Sequence, residues 1–266
     1  RAFLTNGDNA LYFKHGFAIY PLSILATGAD LRELPVTENY HQDLTSVINF
    51  VDKKSKVVFI ASPNNPTGSA NTFSEIEAML NDLPNDLIVF LDQAYFEYIE
   101  DEPYKLPFDL IDKYQNLIIS RSFSKAHGLA AYRLGYSISS RKIADYLNRV
   151  RQPFNVSSFA LEAGIASLND KEHLRKSVDL NQREKNRLMQ FFKKENIEYL
   201  PTQGNFFSFS LGIDSDETFE AFLNEGIILR SLKSYNMDRF VRVSIGQEFE
   251  NDAFIEATKK IKGSRN

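Results

Sequence analysis

The sequence predicts an α/β protein, in which a three-layer sandwich around a mainly parallel sheet is followed by a smaller α+β domain. Short apolar runs alternate with stretches of helical spacing through the first half. These runs are mostly continuous rather than alternating, as expected of strands that are buried on both faces of a parallel sheet. After residue 158 the strict alternation stops. With 266 residues, the chain is long enough for two domains.

Five apolar runs in the first half are predicted strands, and three stretches between them are predicted helices. The strands are expected at residues 9–13, 29–36, 56–62, 87–95 and 116–123, and the helices at residues 17–28, 45–53 and 73–83. Thr72 or Ser74 is the expected N-cap of the third helix. Repetition of strand, helix and strand on this scale favours a parallel sheet with helices on its faces. We assign residues 1–158 to this large domain.

The second half has a different pattern. Residues 158–195 read as one long helical region, which is apolar at first and highly charged later. Three strands are expected within residues 197–211, 226–232 and 240–246, and two helices within residues 215–226 and 250–263. We assign residues 159–266, including the long helical region, to a small C-terminal domain.

Composition and missing motifs exclude several kinds of function. The net charge is −4 and no run of basic residues stands out, which argues against nucleic acid or an anionic membrane as a partner. The absence of cysteine excludes disulfides, thiolate metal sites and cysteine nucleophiles. Dinucleotide, phosphate-loop, GxSxG and HExxH motifs are absent, and the four histidines lack metal-ligand spacing, so no metal site is predicted. No apolar run approaches the roughly 20 residues of a membrane span.

Polar residues follow three of the predicted strands, at the point where each strand ends. The segments are SPNNPTG (62–68), DQAY (92–95) and SRSFSK (120–125). In open α/β sheets, ligands bind at the edge formed by the carboxyl ends of the strands. The sequence therefore predicts a ligand site to which three strands contribute Asn, Asp, Tyr, Ser and Lys side chains.

Each of these residues also has a purely structural explanation. Asn65 lies in an Asn-Pro turn, Asp92 could cap a helix, and Lys125 and Arg133 could be ordinary solvated residues. These explanations are not independent of one another. A charged Asp92 directly after an apolar strand faces desolvation unless it has hydrogen bonds or a cationic partner. A ring nitrogen that must stay protonated would be such a partner.

Four motifs in order carry a family resemblance: SPNNPTG, DQAY, SFSKAHGLAAYRLGY and RVSIG, with 27 residues from Asn65 to Asp92. They resemble the fold-type I aminotransferases, which use pyridoxal 5'-phosphate, and are most similar to the class-II group that includes the histidinol-phosphate aminotransferases. The resemblance runs from about Phe3 to the C-terminal helix. It implies transfer of an amino group between two small molecules, L-histidinol phosphate and 2-oxoglutarate, with glutamate as the second amino donor.

The resemblance implies a role for each matching residue on the cofactor. Lys125 is the Schiff-base lysine and the base that moves a proton, for which its pKa must be lowered. Asp92 pairs with the pyridinium nitrogen, so that the ring acts as an electron sink. The other implied cofactor contacts are Arg133, Ser122 and Ser124 to the phosphate, Tyr95 and Asn65 to the ring hydroxyl, and Phe17 stacked on the ring.

Two further arginines match substrate-binding positions of the family. Arg242 corresponds to the arginine that binds the substrate carboxylate, a contact that suits the planar guanidinium group. Arg230 corresponds to a second arginine that helps bind the phosphate of histidinol phosphate. The structural alternatives are a rim arginine for Arg230 and an ordinary core phenylalanine for Phe17.

The sequence also departs from the family pattern. Ser122 stands where Thr is common, His127 where Phe is frequent, and Gln93 where Glu is usual. The family has a glycine-rich turn, which holds the cofactor phosphate, before the point where this sequence begins. An N-terminal arm and a tyrosine donated across the dimer interface are also absent, so we expect the natural N-terminal part to be missing. The resemblance further implies a cytoplasmic homodimer.

Other functions remain open at this point. Within the family, the alternatives are an aromatic or aspartate-like aminotransferase and a threonine-phosphate decarboxylase. A different class of protein is a non-catalytic pyridoxal-phosphate sensor domain of a transcription regulator. A fragment that binds no cofactor is a further alternative. Fold alone does not decide between them.

Overall fold

A computed structural model describes residues 1–100 and 108–264 of the chain. Its larger sheet has six strands in the order β2-β1-β3-β4-β5-β6. Strands β1 to β5 are parallel, and β6 pairs antiparallel with β5. The strands are β1 Asn9–Phe13, β2 Asp30–Leu34, β3 Ser55–Ala61, β4 Ile88–Asp92, β5 Leu117–Ser122 and β6 Gly135–Ser139. The mainly parallel sheet predicted from the sequence is confirmed.

The five predicted strands are all present, whereas β6 was not predicted. Strand β6 has the sequence GYSIS and is largely exposed, so it lacks the continuous apolar run that marks the buried strands. Its place is fixed by pairing, because the register joins Ile119 to Ile138 and Ser122 to Gly135 at the edge of the sheet. A strand defined by an edge partner rather than by burial carries little signal in its own sequence.

Helices cover both faces of this sheet because its strands direct alternate side chains to opposite sides. Leu11, Phe13 and Ile60 belong to one apolar cluster, which includes residues of the helix at Phe73–Asp82. Ala10 and Val57 belong to a second cluster that contains Ile24 of the helix at Ile19–Leu25. The helices of this half are α1 Ile19–Leu25, α2 Val47–Phe50, α3 Phe73–Asp82, α4 Leu110–Lys113 and α5 Arg141–Val150.

Local sequence explains where α3 begins. Thr72 is its N-cap, and its hydroxyl accepts a hydrogen bond from the Glu75 backbone N–H while the Glu75 carboxylate accepts from the Thr72 N–H. This reciprocal pair satisfies two backbone donors at the helix start. Of the two N-caps expected from the sequence, Thr72 is the correct one.

The smaller sheet has four antiparallel strands in the order β7-β8-β10-β9. These strands are β7 Glu198–Tyr199, β8 Phe206–Ser210, β9 Arg230–Ser231 and β10 Val241–Ser244, and the helices of this half are α6 Ser158–Asn169, α7 Lys171–Lys194, α8 Ser215–Asn224 and α9 Glu248–Gly263. The prediction of one helical region over residues 158–195 was wrong in one respect, because the helix is interrupted at Asp170. The Asp170 carboxylate accepts a hydrogen bond from the His173 N–H and so caps a new helix, α7.

A phenylalanine-rich core holds the smaller sheet against its helices. Phe192 of α7, Phe209 of β8, Phe222 of α8 and Phe254 of α9 are fully buried, and their rings pack within 5.4 to 6.1 Å of one another's centroids. No helix in the described ranges is long and apolar enough to cross a lipid bilayer. The boundary near residue 158 between two domains stays a prediction.

Candidate active site

A cavity of about 700 Å³ lies where the carboxyl ends of the parallel strands meet the smaller sheet. Cavities of this size accommodate cofactors and small substrates. It brings together all ten site residues singled out from the sequence. They are Phe17, Asn65, Asp92, Tyr95, Ser122, Ser124, Lys125, Arg133, Arg230 and Arg242.

Strand register explains why residues far apart in sequence meet here. Ala61 at the end of β3 pairs with Asp92 at the end of β4, and Asp92 pairs with Ser120 of β5. The chain continues from β3 to Asn65 and from β5 to Lys125, so both follow strands that end at the same edge. These residues therefore lie together at the carboxyl ends of the parallel strands, as expected for ligand-binding residues in an open α/β sheet.

The carboxylate of Asp92 is held by three donors. Its Oδ1 accepts from the Ala94 N–H at 3.0 Å and from the Ser120 hydroxyl at 3.3 Å, and its Oδ2 accepts from the Tyr20 hydroxyl at 2.8 Å. Burial raises the pKa of Asp92, whereas these donors lower it and the positive charge of Lys125 lowers it least. A cation placed at this carboxylate would therefore stabilise its charged form.

Lys125 faces the same cavity in a positive environment. Burial lowers the pKa of Lys125, and the charges of Arg242 and Arg133 lower it further, whereas Asp92 raises it. Its ammonium lies 5.0 Å from the centroid of the Tyr95 ring. Burial also raises the pKa of Tyr95 to about 12, so this phenol stays protonated at neutral pH. Lys125 is thus easier to deprotonate than a surface lysine.

Two hydroxyl groups and a guanidinium group lie at the end of β5 and in the segment that follows it and carries Lys125. The Ser122 hydroxyl accepts a hydrogen bond from the Ser124 N–H at 3.0 Å, which folds the loop back towards β5. Arg133 has a left-handed backbone conformation, with φ of 55°, and donates to the Ala130 carbonyl at 2.7 Å. Because Arg133 is exposed and lines the cavity with the two serines, its guanidinium can bind an anion beside them.

Phe17 is a cavity residue rather than part of the core, since 37% of its surface is exposed. Its ring contacts Tyr20 edge to face at 5.9 Å, and Tyr20 stacks on Phe59 of β3 at 5.1 Å. Phe17 is therefore held by its neighbours and still presents an aromatic surface to the cavity.

Two arginines face each other in the smaller sheet. Arg230 of β9 and Arg242 of β10 are direct partners in the antiparallel register, and both line the cavity. Like charges at directly opposite positions destabilise a sheet. Arg242 also donates a hydrogen bond to the Asn65 side-chain oxygen and lies 5.2 Å from the Phe206 ring centroid. This pairing does not stabilise the strands, and it places two cationic side chains on the same cavity.

The turn that carries Asn65 is attached to the smaller sheet. The Gly68 carbonyl accepts from the Gln203 N–H at 2.8 Å, and the Pro66 carbonyl accepts from the Ser208 hydroxyl at 2.5 Å. Gly68 packs so closely on Thr202 that a Cβ atom added to it would lie 2.3 Å from the Thr202 Oγ1. These contacts fix the distance between Asn65 and Arg242.

Sequence reasoning missed several residues that line the cavity, among them Tyr20, Ser120, Arg121 and Tyr235. A signal existed for Tyr20, because it follows Phe17 by three positions in a predicted helix and should share its face. Tyr235 follows a two-residue edge strand and carries no comparable signal. In the part of the chain that the structure describes, no group of three or more acidic or histidine side chains could hold a metal ion.

Comparison with known proteins settles the family. The family described as aminotransferase class I and II matches residues 1–257, which is nearly the whole chain. This protein belongs to that family. The aminotransferase is 42% identical over 259 residues to histidinol-phosphate aminotransferase 2 of Haemophilus influenzae, which covers 97% of this chain and 70% of that protein. Histidinol-phosphate aminotransferase 1 of Idiomarina loihiensis is 39% identical over 263 residues, or 99% of this chain and 71% of the relative.

Solved structures show the same fold with more distant sequences. The histidinol-phosphate aminotransferase of Sinorhizobium meliloti in complex with pyridoxal-5'-phosphate superimposes with a TM-score of 0.90 at 24% identity, covering 99% of this aminotransferase and 72% of that chain. A mutant aspartate aminotransferase of Thermus thermophilus has a TM-score of 0.86 at 18% identity, covering 98% and 75%. Since enzymes named for different substrates share the fold, the fold does not identify the substrate.

Proposed function

We propose that this aminotransferase uses pyridoxal 5'-phosphate to exchange an amino group between L-histidinol phosphate and 2-oxoglutarate, in histidine biosynthesis. The curated relatives at about 40% identity are named for this activity. The observation that carries the proposal is the pair Arg230 and Arg242, which lie opposite each other in the same cavity as Lys125. Two guanidinium groups side by side suit the doubly charged phosphate of histidinol phosphate, whereas a single carboxylate needs only one of them.

The chemistry of the cavity fits the cofactor. Pyridoxal 5'-phosphate carries a phosphate, a ring nitrogen that can be protonated and an aldehyde. Arg133, with Ser122 and Ser124, would hold the phosphate. Asp92, a carboxylate in need of a cation, would hold the ring nitrogen in its protonated form. Lys125 would bond to the aldehyde carbon.

Three other side chains complete the proposed cofactor contacts. The Tyr95 phenol, which stays protonated, can donate to the ring hydroxyl oxygen. The Asn65 amide nitrogen can donate to the same atom, because its side-chain oxygen is engaged by Arg242. Phe17 would stack on the ring.

When bound, pyridoxal phosphate supplies an electron sink for the charge that develops at the Cα atom of the substrate. Once the substrate amine has displaced Lys125 from the aldehyde carbon, Lys125 Nζ would take the proton from the substrate Cα and deliver it to that cofactor carbon, and its lowered pKa favours the free base that this task needs. The three hydrogen bonds to Asp92 favour its charged form, against the burial that raises its pKa. Arg242 holds the carboxylate of glutamate, and Arg230 adds the second cation that a substrate phosphate requires.

The decisive experiment adds pyridoxal phosphate to the wild-type protein and to Lys125→Ala, followed by borohydride reduction and mass mapping. We expect one reduced adduct, at Lys125, in the wild type and none in the variant. An adduct that persists at one site in the variant would show that Lys125 is not the cofactor lysine. No adduct in the wild type would favour a fragment that binds no cofactor.

A panel of amino donors tests the substrate. We expect L-histidinol phosphate to react faster than phenylalanine, aspartate or threonine phosphate. Equal rates would contradict the specific assignment and favour another aminotransferase. Release of carbon dioxide from threonine phosphate would indicate a decarboxylase, and cofactor binding without turnover would indicate a sensor domain.

We also propose a homodimer located in the cytoplasm, where glutamate and phosphorylated metabolites are available. Apolar side chains are exposed on α1, at Leu22 and Leu25, and on α6, at Leu161, Ile165 and Leu168. Contiguous apolar surface of this kind is typical of interfaces. Light scattering measures the assembly directly, and a stable monomer would contradict the dimer.

A further inference from the structure

A hydrogen bond joins the segment before Phe17 to Tyr235, a residue that lines the cavity. The Nδ1 atom of His15 lies 2.5 Å from the backbone oxygen of Tyr235. Because a carbonyl oxygen can only accept, Nδ1 carries the proton and His15 is the donor. His15 follows β1 and comes two residues before Phe17, whereas Tyr235 belongs to the wall formed by the smaller sheet.

His15 is fixed on its own side of the cavity. Its backbone has a φ of 56°, and its carbonyl accepts from the side-chain nitrogen of the buried residue Asn64 at 3.1 Å. Its ring contacts the ring of Tyr40 at 5.2 Å, and Tyr40 contacts Phe240 at 5.5 Å. Both the backbone and the ring of His15 therefore have defined positions.

The segment that carries Tyr235 is connected to Arg230 by a short hydrogen-bonded turn. After β9, the N–H groups of Tyr235 and Met237 both donate to the Leu232 carbonyl, and the Leu232 N–H donates to the Phe240 carbonyl. Leu232 is fully buried. A hydrogen bond to the Tyr235 carbonyl therefore restrains the short edge strand that carries Arg230.

We propose that His15 is a positioning residue, which holds Arg230 at the distance from Arg242 that a phosphorylated amino donor requires. The two arginines repel each other, and β9 is a two-residue strand at the edge of its sheet. The contact of His15 with Tyr235 opposes this repulsion from outside the sheet. This inference rests on the proposed function for the identity of the substrate, but the restraint itself follows from the contacts alone.

A matched pair of variants separates the hydrogen bond from the packing of the side chain. In His15→Asn, the amide nitrogen can replace Nδ1 as the donor to the Tyr235 carbonyl. In His15→Asp, the side chain has the same shape as that of Asn but no donor for this carbonyl. Asn and Asp both tolerate a positive φ, so backbone strain is the same in the two variants. His15→Gly, which also tolerates this φ, gives a third comparison if the Asp variant does not fold. His173→Asp, at an exposed histidine, controls for the added charge.

The holoenzymes are compared by KM and kcat for L-histidinol phosphate and glutamate, and by the inhibition constant of inorganic phosphate. We expect His15→Asp to raise the KM for the phosphorylated donor and the inhibition constant of phosphate about two- to tenfold, as one lost hydrogen bond predicts. We expect the glutamate KM to change less and His15→Asn to restore both phosphate-dependent constants.

Equal effects of Asn and Asp, or equal losses for both amino donors, would overturn the inference. Failure of the wild type to transaminate histidinol phosphate would refute the proposed function instead. In that case the role of His15 is still tested by the inhibition constant of phosphate, or by the shift in melting temperature that phosphate causes in each variant.

Discussion

Replacing Gly68 with alanine tests the contact that fixes the Asn65 turn to the smaller sheet. Gly68 has a φ of 81°, and a Cβ atom there would lie 2.3 Å from Oγ1, 2.6 Å from Cβ and 2.9 Å from Cα of Thr202. The last of these is a backbone atom, so rotation of the threonine side chain cannot relieve the overlap. The protein can accommodate the Cβ atom only if the turn moves away from the smaller sheet or if both are distorted.

The expected loss of stability has two parts. A residue other than glycine at positive φ costs about 1–2 kcal/mol. Overpacking in a closely packed region costs about 1–3 kcal/mol more. The lower entropy of the unfolded alanine chain offsets about 0.4–1 kcal/mol. We therefore expect Gly68→Ala to lower the free energy of unfolding by about 1–5 kcal/mol.

Gly212→Ala is the matched control. Gly212 has a φ of 80°, nearly the same as Gly68, but no heavy atom lies within 4 Å of the position that a Cβ atom would occupy there. Both variants are compared with the wild type by urea unfolding, with the m-value checked for constancy. Gly68→Ala should be less stable than Gly212→Ala by about 1–3 kcal/mol, which isolates the overlap with Thr202. Equal losses in the two variants would refute the reasoning.

Three other predictions concern the cavity. Tyr20→Phe should raise the pKa of Asp92 further, because the lost hydroxyl stabilises the carboxylate. The acid limb of the pH profile of kcat/KM should therefore move to higher pH, and an unchanged acid limb would contradict this. Arg230→Ala should raise the KM for histidinol phosphate about tenfold or more and harm glutamate less, whereas equal losses would argue against a phosphate contact. Lys125→Met should stabilise the cofactor-free protein by about 0.5–2 kcal/mol at neutral pH, as measured by urea unfolding. The pKa of Lys125 is lowered in the fold, so the wild type gains stability as pH rises above that folded-state pKa towards the higher pKa of the unfolded chain, and the advantage of Met should shrink in this range.

The central strands of the larger sheet were predictable because burial on both faces leaves a continuous apolar signal. Strand β3, SKVVFIA, and strand β5, LIISRS, show it clearly. The exposed strand β6 lacks this signal, since its position depends on pairing with β5. The break at Asp170 was missed because the sequences on both sides of it are compatible with helix, and only the cap separates them.

The cofactor side of the candidate site was predictable for a related reason. Asn65, Asp92 and Lys125 each follow a strand of the same parallel sheet, so one rule about strand ends places all three at one edge. The rule says nothing about Tyr20, which reaches Asp92 from helix α1. The family resemblance, rather than any rule of spacing, singled out Arg230 and Arg242.

Residues of both sheets contribute to the proposed reaction, and this limits what the sequence alone can say about substrate specificity. The proposed cofactor contacts lie in or next to the strands of the larger sheet, whereas Arg230 and Arg242 belong to the smaller one. The geometry of the substrate pocket therefore depends on contacts between them, such as Gln203 to Gly68 and His15 to Tyr235. These contacts involve backbone carbonyls, which every residue type provides, so they leave almost no mark in the sequence. Changes of substrate within this fold are accordingly expected to arise at such contacts as well as at the arginines themselves.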